Sequence, residues 1–235
     1  MIPKVIHYCW FGGNSIPELE QKCINSWKQY CPDYEIKEWN ERNFDFSCCA
    51  YAKEAYDAKK WAFVADYVRL KILVEYGGIY MDTDVEVVKP LDAFLQEKAF
   101  LGFEEDEYVA TSIMACEKGF NLFDTFLKRY DKRYFLKPDG TYDVTTNVVE
   151  ITYFLLEHGL LLSNKKQTIE GLTLYPKEYF CPKNHETKKI ERTDNTYAIH
   201  HFAGSWLKPS HWKRCKKNLK EIKITVTKIL AVLFR

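Results

Sequence analysis

The chain has 235 residues, 46% apolar and 16% aromatic; that is enough to bury a sizeable core, so a disordered chain is excluded. The net charge of +1 hides an asymmetry, because Lys208–Arg235 carries nine Lys or Arg against the single acid Glu221, a surplus of +8 that leaves about −7 on the rest. A basic tail on a mildly acidic body argues against general nucleic-acid binding, which needs the basic surface on the body, and suits an anionic membrane face.

The eight cysteines include the vicinal pair Cys48 and Cys49 but no CxxC or Cys/His zinc spacing, so they read as reduced thiols of a cytosolic protein. The opening "MIPKVIHYCW" has no signal-peptide apolar region, and no apolar run approaches membrane-spanning length. The expectation is a cytoplasmic protein, with peripheral contact at the cytoplasmic membrane face left open.

In chain order, "KVIHYCW" (Lys4–Trp10) is short and β-branched and predicts a first strand ending in the turn "FGGN". "SIPE" (Ser15–Glu18) has the spacing of a capping box with Pro in the first turn, so a helix follows. That helix should stop near "YCPD", where Pro32 disfavours helix at Cys31. "YEIKEW" (Tyr34–Trp39) predicts a second strand. "KKWAFVADYVRLKILVEYGG" (Lys59–Gly78) is helical, apolar on nearly every side, and stopped by two glycines. "IYM" then leads into Asp82-Thr83-Asp84, and "VEVV" resumes extended chain. "AFLGFE" and "SIMAC" predict further strands, 121–134 and 143–158 helices, "GLTLYP" and "YAIHHF" late strands, and 216–235 a weakly amphipathic helix. Strands and helices alternating at this spacing predict an α/β fold with a largely parallel sheet.

Asp82 and Asp84 raise the chemical question. In extended chain, residues i and i+2 project to the same side, so two carboxylates stand together where a buried strand ends. Ligands bind at the carboxyl ends of strands in open α/β sheets, and two like charges this close call for a cation. Oxygen ligands suit Mg²⁺ or Mn²⁺, ions that keep open positions for substrate phosphates. A bare DxD also arises by composition at a solvated strand end, so context decides. Two other acidic motifs fail here. Glu86 stands where a dehalogenase-type phosphatase needs Thr or Val, and Val87 stands where an EF-hand loop needs Gly. Upstream, Asp66 and Arg69 lie three apart on one helix face. They read either as an internal ion pair or as groups approaching a polar ligand, since a guanidinium fork suits phosphate or ribose.

Three stretches, "IPKVIHYCWFGG", "ADYVRLKILVEYGGIYMDTDVEVVKPLD" and "HHFAGSW", occur in an order that resembles the DXD-containing sugar transferases. These include bacterial capsule and exopolysaccharide glycosyltransferases and the yeast initiating α-1,6-mannosyltransferase; the catalytic domains of the large clostridial glucosylating toxins are more distantly similar. The likeness is strong over residues 2–95 and looser over 197–212. Its most specific string comprises Asp66, Arg69, Leu73, Gly77, Gly78, Tyr80, Asp82 and Asp84.

The resemblance implies a GT-A, Rossmann-like nucleotide-sugar-binding domain over 1–212, followed by a basic helix over 213–235. It also implies a UDP- or GDP-linked donor and transfer with retention. Asp84 would hold Mn²⁺ or Mg²⁺ on the donor diphosphate, and Asp82 would touch the ribose or sugar and the ion's water. Asp66, Arg69 and Tyr80 would contact the donor. His7, Tyr8 and Trp10 would line the base, with Trp10 stacking on it or simply buried. In "HHFAGSWLKPSHW", His201 is the choice for a third ion ligand because strand alternation turns it opposite to His200, which stays open. Ser205 and Trp206 would close the donor pocket, and Lys208 would meet phosphate.

The expected acceptor is an oligosaccharide or lipid-linked saccharide in capsule, exopolysaccharide or lipopolysaccharide synthesis. The tail 213–235 either contacts the inner membrane or packs on its own domain. "GFEEDE" reads as an acidic surface loop or as part of the acceptor side. Two other function classes remain: a DxD metal-dependent phosphatase, and an inactive carbohydrate-binding scaffold of the same fold.

Overall fold

The computed structural model describes residues 1–105, 108–185 and 187–204, and Met1–Phe202 forms one compact unit. The predicted tail helix, the 213–235 segment and residues Ser205, Trp206 and Lys208 lie outside the described residues. No helix among those described is long and apolar enough to cross a membrane.

Strand β1 (Val5–Cys9) is followed by helix α1 (Glu18–Tyr30), strand β2 (Glu35–Trp39), a 3₁₀ turn (Phe46–Cys48) and helix α2 (Ala50–Asp57). Helix α3 (Trp61–Tyr76) then turns into β3 (Gly78–Met81), and β4 (Val85–Val87) follows the Asp-Thr-Asp turn. Next come β5 (Ala99–Glu105), β6 (Tyr108–Cys116), α4 (Asn121–Leu127), α5 (Asn147–Glu157), β7 (Gln167–Ile169), β8 (Leu172–Tyr175) and β9 (Ala198–His200).

Seven strands form one sheet in the order β2-β1-β3-β6-β5-β8-β7, while β4 and β9 pair apart as an antiparallel ribbon. β1 is parallel to β2 and β3, and β5 to β8. Only β6 and β7 run against the others. The sheet is therefore mixed and mostly parallel, as expected. Its two faces carry separate apolar clusters. One holds α2, α3, α4 and α5 through residues such as Val64, Leu70, Phe126 and Phe154. The other holds α1 and the β4–β9 ribbon through Ile24, Trp27, Val85 and Ala198.

Several expected boundaries shift. There is no capping box at Ser15: Pro17 is the residue before α1, and no side chain caps it, because Ser15 is two residues too far back for its hydroxyl to reach the free N–H groups. The 121–134 helix ends at Leu127 and tightens into a 3₁₀ turn over Lys128–Lys132. The 143–158 helix begins only at Asn147, since the Asp143 N–H bonds across the chain to Phe135.

The two glycines after α3 are required where they stand. Gly78 has φ +105°, and a Cβ there would come within 2.7 Å of the Val5 carbonyl and 3.0 Å of His7 Nε2. The tight turn reverses the chain, so the first turns of α3 lie beside the carboxyl end of β3.

Candidate active site

The site is built at that end of the sheet. The Asp82 N–H donates to Ser112 O on β6 at 2.8 Å, which continues the sheet and fixes where the Asp-x-Asp turn starts. The turn's far side is held by α1. Trp27 Nε1–H donates to Val85 O at 2.7 Å, and the Val87 N–H to Ser26 Oγ at 2.9 Å. The β4–β9 pairing then brings a residue from the end of the described chain to the turn: Val85 pairs with His200, and His200 Nε2 stands 3.4 Å from Asp84 Oδ1.

Asp82, Asp84 and His200 each offer a ligand atom, and the three atoms lie within 4.8 Å of one another. Among the described residues this is the one such trio. Asp84 and His200 each keep 13% of their side-chain surface exposed, so the trio is sheltered yet reachable.

His201, expected as the third ligand, faces elsewhere. Across the antiparallel ribbon it shares a face with Glu86, whose carboxylate accepts from its Nε2–H at 2.8 Å. Lys183 Nζ donates to its carbonyl at 2.8 Å. Alternation does separate the two histidines, but it is His200 that joins the aspartates.

Behind the trio lies a buried charge network. Arg69 NH2 bridges to Asp66 Oδ1 at 3.0 Å and NH1 to Asp82 Oδ1 at 3.3 Å. NH1 also donates to Thr111 O at 2.7 Å and Nε–H to Ala65 O at 3.1 Å. Tyr80 OH donates to Asp82 Oδ1 at 2.8 Å, with the Arg69 guanidinium 4.7 Å over its ring. Asp66 is capped from α5, where the Asn147 N–H donates to Oδ2 at 3.2 Å. Burial pushes the Asp66 carboxyl up to about 6 against the pull of Arg69, with Asp82 adding to the rise. Burial likewise raises Asp82, opposed by Arg69 and reinforced by Asp84. Burial works against a charged His200 ring, yet the Asp84 carboxylate holds its pKa well above the usual imidazole range.

With His200 protonated, three carboxylates face two cations, an excess of one negative charge inside a sheltered pocket. A divalent cation that displaces the His200 proton answers the excess of two that remains, and the donor set of two carboxylate oxygens and one neutral imidazole nitrogen fits such an ion.

The residues expected along the nucleotide base part company. Trp10 stands just past β1, half-buried, its Nε1–H donating to Asn14 O at 2.7 Å. Tyr8 is buried, with its hydroxyl donating to Glu38 at 2.7 Å and its ring edge-on to Trp27. His7 is only 1% exposed and turns away from the site into the core. Trp39 Nε1–H donates to its Nδ1 at 3.1 Å, which leaves Nε2–H to donate to Gly77 O at 2.9 Å. The ring is thus held neutral in one tautomer, and burial lowers its pKa to about 4.

Because the folded pKa lies below the unfolded value, His7 stabilises the protein above pH ~6.5, and that contribution is lost as pH falls towards 4, to the extent of about 3 kcal/mol. Asp66 shifts the opposite way over the same range. The comparison is therefore between parent and His7→Asn by denaturant unfolding. The parent should lose about 3 kcal/mol more than the variant between pH 7 and 4; equal losses would contradict a neutral buried ring.

A mostly parallel α/β sheet with an Asp-x-Asp turn at the tip of an inner strand is the GT-A arrangement of glycosyltransferases. Two solved glycosyltransferases share the fold. PaToxG is 20% identical, with TM-score 0.50 over 66% of this chain and 68% of its own. A glycosyltransferase involved in the glycosylation of the major capsid of PBCV-1 is 9% identical, with TM-score 0.51 over 87% of this chain and 95% of its own. Residues 17–101 match the family described as "glycosyltransferase sugar-binding region containing DXD motif", so this stretch is similar to that DXD-motif family. Inositol phosphoceramide mannosyltransferases 1 and 3 of Schizosaccharomyces pombe are 29% and 34% identical over 58% and 50% of this chain. The chain spans 46% and 34% of their lengths. An uncharacterized glycosyltransferase of Acanthamoeba polyphaga mimivirus is 27% identical over 92% of this chain and 87% of its own.

The family region contains Asp66, Arg69, Tyr80, Asp82 and Asp84 but stops a hundred residues short of His200. Asn147, Thr111 and Ser112, which hold the acidic groups in place, carried no signal in the sequence. Each works through a backbone group or across about thirty to eighty residues of chain.

Proposed function

We propose that this chain is a metal-dependent, retaining hexosyltransferase that uses a UDP- or GDP-linked sugar and passes the hexose to a saccharide or lipid-linked acceptor. The Asp82–Asp84–His200 trio at the carboxyl end of β3 carries the reading. Mannose is the sugar in the names of the fungal relatives, which favours GDP-mannose among the donors to be tried.

Asp82 is the most exposed of the three ligands, at 28% of its side chain against 13% for Asp84 and His200. Asp82 is the one whose orientation is locked, since Tyr80 and Arg69 hold its oxygens. An ion bound there supplies Lewis-acid stabilisation of the negative charge that grows on the departing diphosphate. The residues around it keep the carboxylates ionised and aimed, so no reorganisation is needed as that charge develops. Trp10, just past β1 and half-buried, offers an indole on which a base can stack.

Nucleotide release measured with Mn²⁺ over a panel of UDP- and GDP-sugars tests this. One donor should be turned over, and the anomeric configuration of the product should match the donor's. Hydrolysis of simple phosphomonoesters instead would identify a phosphatase, and inertness towards every donor a scaffold. The two histidines separate in the same assay. His200→Ala should raise the Mn²⁺ concentration needed for half-maximal rate by about 10–100-fold or more, whereas His201→Ala should move it far less. The reverse ranking would return the ligand role to His201.

A further inference from the structure

The hairpin between the 3₁₀ turn after α4 and helix α5 has a face that the transfer reaction does not use. Leu136 and Tyr142 are bridged antiparallel, and the Lys137 N–H donates to Thr141 O while the Asp143 N–H donates to Phe135 O. In this register Tyr134 stands opposite Val144. Residues opposite one another share a face, and the side-chain period is two, so Tyr134, Leu136 and Val144 project to one side, while Tyr142 lays its ring over Phe135 with centroids 5.0 Å apart.

All four are exposed, at 59%, 48%, 42% and 48%, and they make up four of the nine large apolar residues exposed on the described chain. The other side of the hairpin is anchored. Phe135 is fully buried against Tyr51 and Phe63, and Arg133 pairs with Asp143 at 2.8 Å. The ribbon therefore holds an apolar face out to water, which a lone protein avoids unless the face meets something.

Its surroundings indicate what it meets. Lys59, Lys132 and Lys137 are exposed around the ribbon, and Lys60 Nζ lies 6.0 Å from the Tyr142 ring. Asp131 and Asp139 are exposed acids nearby, with Asp139 engaged by Thr141, and the Glu54 carboxylate is taken up by the Leu136 N–H at 2.9 Å. Tyr134 beside Leu136 and Val144, with lysines at the margin, matches the boundary between acyl chains and anionic headgroups. A saccharide would call for a ring beside hydrogen-bonding groups rather than for Leu and Val. The ribbon also stands at the active end of the sheet, because four residues after Asp143 the Asn147 N–H caps Asp66.

We infer that the 134–144 ribbon is a membrane-docking element that seats the open end of the sheet on an anionic lipid surface. This goes beyond the transfer reaction and does not depend on the metal site. Hydrogen exchange of the full chain, followed with phosphatidylcholine vesicles containing or lacking phosphatidylserine, reads the ribbon separately from the basic tail. Amides over 134–144 should slow several-fold with the anionic vesicles only.

The combined variant Tyr134→Ser, Leu136→Ser, Val144→Ser should lose at least about tenfold in vesicle partition. Its melting temperature and nucleotide release should match the parent's. Lys132→Glu with Lys137→Glu should weaken partition in the same direction. Undiminished partition of the triple variant, ribbon protection already present without vesicles (the sign of the chain's own tail or a second copy), or protection by soluble oligosaccharides instead would each overturn the assignment. Nucleotide release is scored independently, so failure here leaves the transferase reading standing, and the converse.

Discussion

Asp84→Asn should release nucleotide from the preferred donor more than about 100-fold more slowly than the parent at saturating Mn²⁺, with its fold intact. Partners that merely orient a metal ligand are worth about 10–100-fold in affinity or activity, so removing a ligand's charge should cost more. The geometry makes Asp84 the sensitive position. Its carboxylate is the charge that keeps the His200 pKa raised, and its backbone carbonyl accepts from the His201 N–H at 2.9 Å. Asparagine keeps the shape and leaves that backbone bond untouched, which separates loss of charge from loss of structure. The check is paired. Nucleotide release should collapse, and the rise in melting temperature that Mn²⁺ gives the parent should vanish. A variant that keeps both would remove the metal trio from the mechanism.

Arg69→Met addresses stability rather than chemistry and should be the most damaging single change in the site. The Arg69 side chain is 5% exposed and lies between Asp66 and Asp82. Methionine fills much of its volume but leaves two carboxylates in the interior with no countercharge, and breaking a buried pair on one side costs about 3–5 kcal/mol. Because Asp66 already sits near 6 through burial, removing its partner should drive it to take up a proton near neutral pH. The variant should therefore unfold at lower denaturant than the parent and recover part of the deficit as the pH is lowered. Arg69→Lys should fall between the two, since one ammonium cannot reach both carboxylates and Thr111 O together. Equal stability of parent and Arg69→Met would mean that the network contributes nothing to folding.

What was legible in the chain follows from the range over which each feature is decided. β1, β2 and the long α3 stopped by Gly77-Gly78 were readable because β-branched runs, helical periodicity and glycine act within a few residues. Helix α2 and strand β7 were not. Helix α2 lies in a stretch with no clear start signal, and its N-terminal residue, Cys49, makes no side-chain cap. β7 has only three residues and is defined by its pairing with β8. The capping box at Ser15 failed because Pro17 set the start of α1 two residues later.

The acid groups of the site were legible in the sequence: the Asp-x-Asp spacing at the end of a strand suggested a cation, while Asp66 and Arg69, one helical face upstream, stayed open between an ion pair and ligand contact until the fold showed them paired. Which histidine completes the set, and which expected base-lining residue instead belongs to the core, was decided by tertiary structure. Strand alternation told His200 from His201 but not which face looks inward, since that depends on a ribbon pairing across more than a hundred residues. His7 is likewise committed by Trp39 and Gly77, two distant groups that use up both its ring nitrogens. Local spacing can state which chemistry is available; only long-range contacts determine which copy of it reaches the site.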